Sequence, residues 1–374
     1  MCKYIAKFLA ITWFISFFSM ISLGHETFTE EDYPTDIKKY ELSLMGMSSR
    51  IISPQIVIKM DNNWEILLAC LSEKTKDELK RMGVSFVDSQ LMLLNAMRLL
   101  EVKGERLKTK MPILGSVKTR SLRKKMRDLA VRIEPELRSG VHDLKIELRK
   151  IGHEANIYTI LFSYTLDELA WKPFFEKGLI KNTGITVKRP FWGGIFWACY
   201  PPHEFSCGTN KMSFQEAYFM VNWSKELLEK MLEGIYRANL KMLLRDYVEY
   251  GKIVNDDLLK ELAPYKIFDY SGSLAIPIIE EKEDNKLYLK CKSLAMKVAQ
   301  VFLNNVDMKN LIEEYKFYDG EKAVVVSYHE WMWEYLAYLE EKGIINKPFA
   351  FSNPTKAGPS DIGALLFIVK RSSK

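Results

Sequence analysis

Met111-Pro112-Ile113-Leu114 returns 165 residues later as Ile276-Pro277-Ile278-Ile279, and Glu176-Lys177-Gly178-Leu179-Ile180 returns at the same offset as Glu341-Lys342-Gly343-Ile344-Ile345. Between these anchors Tyr158 to Tyr164 (YTILFSY) matches Ala323 to Tyr328 (AVVVSY) at an offset of 164, a slip of one residue. Self-similarity at a fixed spacing marks a chain assembled from repeated structural units. The expectation is therefore an α+β chain of two tandem homologous units of about 165 residues, unit 1 over 61–212 and unit 2 over 213–374, preceded by an extension over 25–60.

Inside unit 1, Asn63 to Leu71 has the apolar spacing of a short helix, and Thr75-Lys76-Asp77-Glu78 is a capping-box pattern that starts a second. Gly83 stops it. Ser85 then caps an expected third helix reaching about Glu101, with Phe86, Leu91, Leu94, Met97 and Leu100 on its apolar side, and Val102 to Lys110 reads as a hairpin leading into Met111 to Leu114. In unit 2, Asp256 to Leu262 supplies the last of these helices, Ala263-Pro264-Tyr265 breaks it, and Ser271-Gly272-Ser273 turns the hairpin. Three short helices and a hairpin resemble the winged helix-turn-helix, over 61–114 and again over 226–279. The resemblance implies a compact head on each unit and, in the family, DNA contact through the third helix.

The body of each unit reads as helix, strand, helix, strand. Leu122 to Ile133 and Leu144 to Ile151 carry helical spacing, as does Leu287 to Tyr318. The apolar runs ending in Ser-Tyr are expected strands, Asp167 to Lys177 and Glu330 to Lys342 expected helices, and Gly194 to Cys199 and Ala364 to Val369 expected last strands.

Lys3 and Lys7 precede the apolar run Phe8 to Leu23, which ends at Ser22-Leu23-Gly24 before a polar, acidic stretch. A positive start, a short apolar stretch and small residues at the break read as a signal peptide over 1–24, hence export. The alternative is a membrane anchor over 4–23, for which the run is shorter than the roughly 20 residues a spanning helix needs. The net charge of +6 is a small bias on 374 residues and points to no polyanionic partner. Removal of the leader would take Cys2 and leave four cysteines, of which Cys199 and Cys207 lie close enough in sequence to pair as a disulfide.

Three segments carry candidate binding chemistry. Pro190 to Gly208 is rich in aromatic residues, and Trp192, Phe196, Trp197 and Tyr200 could pack between units or present flat rings to a ligand. Lys118 to Arg132 is the densest basic segment, in which Arg120, Arg123, Lys124 and Arg127 are the candidate anion contacts. Its apolar residues Leu122, Met126, Leu129 and Ile133 fall at helical spacing, so a solvated basic face accounts for the same pattern. The third helix of the first head offers Gln90, Asn95 and Arg98 to DNA, and its counterpart is acidic, a poor reading surface. Cys199, His203 and Cys207 lack the paired short spacing of a structural zinc site.

Acids follow both Ser-Tyr runs, at Asp167, Glu168 and Glu330, where helix N-termini favour them without any chemistry. The sequence holds no nucleophile elbow, phosphate-cradling glycine loop, dinucleotide fingerprint or paired-histidine zinc helix. No catalytic residue, metal or cofactor is therefore expected. The functional expectation is an exported, non-enzymatic binding or assembly module. Its partner is left open between another protein, a glycan and a membrane surface, and export would remove nucleic acid from the list. The alternatives are a membrane-anchored or cytoplasmic winged-helix DNA-binding regulator, and a hydrolase using strand-end carboxylates.

Overall fold

The computed structural model describes residues 31–48, 52–181, 183–187 and 189–371. The expected signal over 1–24, and the anchor that is its alternative, lie outside the described residues. Among the described residues no helix is long and apolar enough to cross a membrane.

The chain is α+β. Among the described residues a 3-10 turn (Ile37–Lys39) leads into β1 (Glu41–Ser48), followed by α1 (Pro54–Val57), α2 (Asn63–Ala69), β2 (Lys74–Thr75), α3 (Lys76–Arg81), α4 (Asp88–Ala96), β3 (Leu100–Lys103) and β4 (Arg106–Thr109). The capping box forms: the Thr75 hydroxyl accepts from the Glu78 amide, and the Glu78 carboxylate accepts from the Thr75 amide. Helix α4 is shorter than expected. It stops at Ala96, Arg98 takes a left-handed φ of 57°, and the chain turns straight into β3. Met97, Leu99 and Leu100 are all buried, a crowding of apolar residues that one helical stripe does not accommodate. Strands β2, β4 and β3 then form a small sheet in that order.

The body of the first half holds β5 (Ile113–Leu114), α5 (Ser116–Lys150), α6 (Ile157–Thr159), a π-helical turn over Ile160–Leu166, α7 (Lys172–Glu176) and β6 (Trp192–Cys199). The second half holds β7 (Cys207–Phe214), β8 (Ala217–Ser224), α8 (Leu228–Glu233), α9 (Leu240–Tyr250), α10 (Asp256–Leu262) and β9 (Ile278–Glu281). It continues with α11 (Lys286–Asn305), α12 (Met308–Tyr315), α13 (Gly320–Glu341), α14 (Phe349–Ser352), α15 (Pro359–Gly363) and β10 (Leu366–Arg371).

The expected strands at Tyr158–Tyr164 and Ala323–Tyr328 are helical. The first lies in α6 and the π-helical turn, and the second lies in α13, whose N-cap Asp319 accepts from the Lys322 amide. Every residue from Ile157 to Leu166, and from Ala323 to Met332, is buried, so neither segment shows a polar face at any period. A helix enclosed on all sides and an enclosed strand share that pattern. The two helical stretches expected between Leu122 and Ile151 are one helix, α5, with Pro135 inside it.

The two body sheets have the same arrangement. In one, β6 lies between antiparallel β1 and parallel β5; in the other, β10 lies between antiparallel β8 and parallel β9. The Ala198 amide donates to the Pro112 carbonyl, and the Ile368 amide donates to the Pro277 carbonyl, the two prolines of the sequence match. The second sheet has a further strand, β7, antiparallel to β8. The boundary read at residues 212 and 213 falls inside that strand.

Two apolar clusters organise the packing. The smaller gathers the helical head with Tyr40, Trp192 and Phe196. The larger runs through α5, the π-helical turn, α11, α13 and both body sheets, so the two halves share one core.

Candidate functional site

Four ionisable side chains, Arg123, Glu330, Glu41 and His203, converge where α5 and α13 meet the end of β6. Arg123, in the second turn of α5, has only 13% of its side chain exposed. Its Nε donates to Glu330 Oε2 of α13 at 2.8 Å, and its Nη1 donates to the Pro201 carbonyl at 2.8 Å. Its Nη2 lies 3.3 Å from Glu41 Oε2, at the start of β1. His203 closes the network: its backbone amide donates to Glu41 Oε2 at 2.9 Å, its Nδ1 is 2.7 Å from the same oxygen, and its Nε2 is 3.3 Å from Glu330 Oε2. The Cys199 thiol donates to Glu330 Oε1 at 3.6 Å.

Burial works against a charged His203 imidazole, but Glu330 and the bond to Glu41 outweigh it and raise its pKa. Burial likewise works against an ionised Glu41, and the His203 hydrogen bond outweighs it and lowers that carboxyl. Arg123 Nη2 also lies 3.0 Å from His203 Nδ1, so the two basic side chains and the carboxyl groups of Glu41 and Glu330 form one mutually bonded cluster. Pairing of this kind is what permits four ionisable groups in a low-dielectric interior. Burial and then the Glu330 charge push the Cys199 thiol well up, opposite to the depression that activates a nucleophilic thiolate. Glu334, one turn beyond Glu330, is also raised, chiefly by burial.

The other acids singled out in the sequence sit in separate networks. Asp167 Oδ1 is 3.4 Å from His329 Nε2 and accepts from the Trp171 indole at 3.3 Å. Glu168 Oε1 accepts from Lys211 at 2.7 Å and from the Tyr218 hydroxyl at 3.1 Å, and Tyr218 also lies 3.3 Å from Glu281. Among the described residues, Asp167, Glu168 and Glu330 do not converge in one cleft, and no cluster of metal-ligating type occurs.

Several expected sites are corrected. Trp192, Phe196 and Trp197 are 8%, 2% and 2% exposed, so they form no open aromatic surface. They alternate along β6 between the two apolar clusters, Trp192 and Phe196 into one and Trp197 into the other, and the Trp192 indole donates to the Met97 carbonyl at 2.9 Å. Tyr200 is half-buried, its ring 5.6 Å from that of Tyr40. Cys199 and Cys207 are both buried free thiols. They lie in different sheets, Cys199 opposite Glu41 and Cys207 opposite Ser224.

The basic segment divides in two. Arg123 is consumed in the buried network, and Arg127 bonds to the Glu334 carbonyl and to Glu341 on α13, so neither is a surface anion contact. Arg120 and Lys124 are exposed; Lys124 pairs with Asp128 at 2.8 Å. Lys124 also lines a surface groove of about 480 Å³ between α5 and the α11–α12 junction. Met126, Leu129 and Leu311 form its floor; Lys124, Arg132, Asp307 and Asn310 stand around it. This concavity was missed in the sequence, since only the packing of α12 beside α5 creates it.

Comparisons of this chain with protein-family models, with curated proteins and with solved structures give no match.

Proposed function

We propose that this chain is an exported, non-enzymatic binding or assembly module, built from two homologous units, whose contact surface is the groove between α5 and α12. One observation carries the reading. At the end of β6 the ionisable side chains of Arg123, Glu330, Glu41 and His203 are spent on one another inside the fold, whereas the groove offers solvent-facing Lys124, Arg132 and Asn310 over an apolar floor. An apolar floor with polar groups around it suits an amphipathic segment of another protein. The matching strand order of the two body sheets, and the equivalent hydrogen bonds to Pro112 and Pro277, support the duplication.

The test is site-specific photo-crosslinking in the native cell, with the reactive side chain at Lys124 or Asn310 and, as control, at exposed Lys225 between β8 and α8. The expected result is a discrete higher-mass adduct from the two groove positions and none from the control. Adducts of equal yield from all three positions, or from none, would sink the reading.

A further inference from the structure

We infer that the outer edge of β1 is a self-association surface, on which β1 of a second copy of this chain adds as an antiparallel strand. The backbone says which way the groups of β1 point. In β6 the amides of Ala198 and Tyr200 go to β5, so those of the alternating residues Trp197 and Cys199 face β1. Ser43 and Glu41 lie opposite these and turn their own backbone groups inward. Leu42 and Leu44 therefore point theirs outward, and among the described residues no strand lies on that side.

The second sheet displays this edge when it is occupied. Strand β8 stands to β10 as β1 stands to β6, and β7 covers its outer edge with eight antiparallel pairs, from Cys207 opposite Ser224 to Phe214 opposite Ala217. In the first sheet no described strand takes the equivalent position.

Natural sheets blunt exposed edges with charge, proline or brevity. Among the described residues four other edges follow that rule: β5 and β2 have two residues each, β3 carries Glu101 and Lys103, and β9 carries Glu280 and Glu281, while β7 has the single charge Lys211 at its middle. Strand β1 does not. Past Glu41 its sequence Leu42-Ser43-Leu44-Met45-Gly46-Met47-Ser48 has no charge and no proline over seven residues, and Met47 is 59% exposed.

The same composition argues for a second copy as the occupant. Antiparallel pairing about a twofold axis with Leu44 opposite Leu44 sets Ser43 against Met45 and Glu41 against Met47, so no like charges meet. The two sheets would then run on as one across the axis.

The test is sedimentation velocity of the full chain over a concentration series, for the wild type, Leu44→Pro and Leu44→Ala. Proline removes the outward amide without touching a bond to β6, and alanine removes the same packing while keeping that amide. The expected result is a dimer for the wild type and Leu44→Ala, and a monomer for Leu44→Pro. Both variants keep the whole N-terminus, so association through the apolar leader would survive Leu44→Pro and overturn the proposal.

Hydrogen exchange on the wild type covers the case in which the proline variant fails to fold. The amides of Leu42 and Leu44 should exchange about tenfold or more slowly in the dimer than at dilution. Exchange independent of concentration would overturn the proposal, as would protection of these amides only when another protein is added, which would assign the edge to a foreign strand.

Discussion

Arg123 Nε sits 2.8 Å from Glu330 Oε2 across 207 residues of sequence, joining the first long helix of the chain to the last. Removing one partner leaves the other charge buried, which costs about 3–5 kcal/mol. Arg123→Met and Glu330→Met should each lower the midpoint of urea unfolding by such an amount. The double variant should cost clearly less than their sum, because no charge is then stranded. Additive losses in a double-mutant cycle would show that the pair is not coupled in the folded state.

His203 gives this network a pH dependence of definite sign. Its folded pKa lies above the ordinary 6.5 of a histidine, so the stability it contributes is fully present below about pH 6.5 and is lost as pH rises through the folded value. Glu41 works at the other end: its folded pKa is lowered, so its contribution is present above the ordinary 4.5 and is lost as pH falls through the folded value. The melting temperature of the wild type should decline on the alkaline side of pH 6.5, and His203→Gln should flatten that decline. A parallel decline in the variant would assign the slope to other groups.

What could be read from the sequence was local. Thr75 and Glu78 announce a helix start because both halves of the capping box lie within four residues, and Gly83 ends it at a φ of 80° that glycine adopts freely. Tyr158–Tyr164 and Ala323–Tyr328 were unreadable for the opposite reason, since enclosure on every side erases the period that separates helix from strand. Arg123 looked like part of a solvated face, yet it falls in the buried row Thr119, Met126, Ala130, Ile133 and Leu137 along α5. A lone cation in such a row is the available sign of a buried ion pair; its partner on α13 is beyond any local pattern. Strand β1 lay inside what read as an extension, although Leu42, Ser43 and Leu44 carry period-two spacing at its start.

Trp192 is the sharpest test of the corrected aromatic segment. Its ring packs in the smaller cluster with Met97 and Phe196, and its indole satisfies the Met97 carbonyl. Trp192→Ala should destabilise the fold by about 3–5 kcal/mol, the usual cost of deleting a buried tryptophan. Crosslinking from the groove should persist at temperatures where the variant stays folded. A variant of unchanged stability would mean that the ring stands in solvent after all.

Thiol chemistry tests the cysteines as directly. Cys70, Cys199, Cys207 and Cys291 are buried and free, and burial pushes the thiol of Cys70 up to about 11 and that of Cys291 up to about 12. Alkylation needs an accessible thiolate, so iodoacetamide should leave all four unmodified in the native protein and label all four after denaturation without any reductant. Peptide mass spectrometry distinguishes the alternatives. Uptake of label by Cys199 and Cys207 in denaturant only after reduction would show that the two are joined, against the free thiols of the structure.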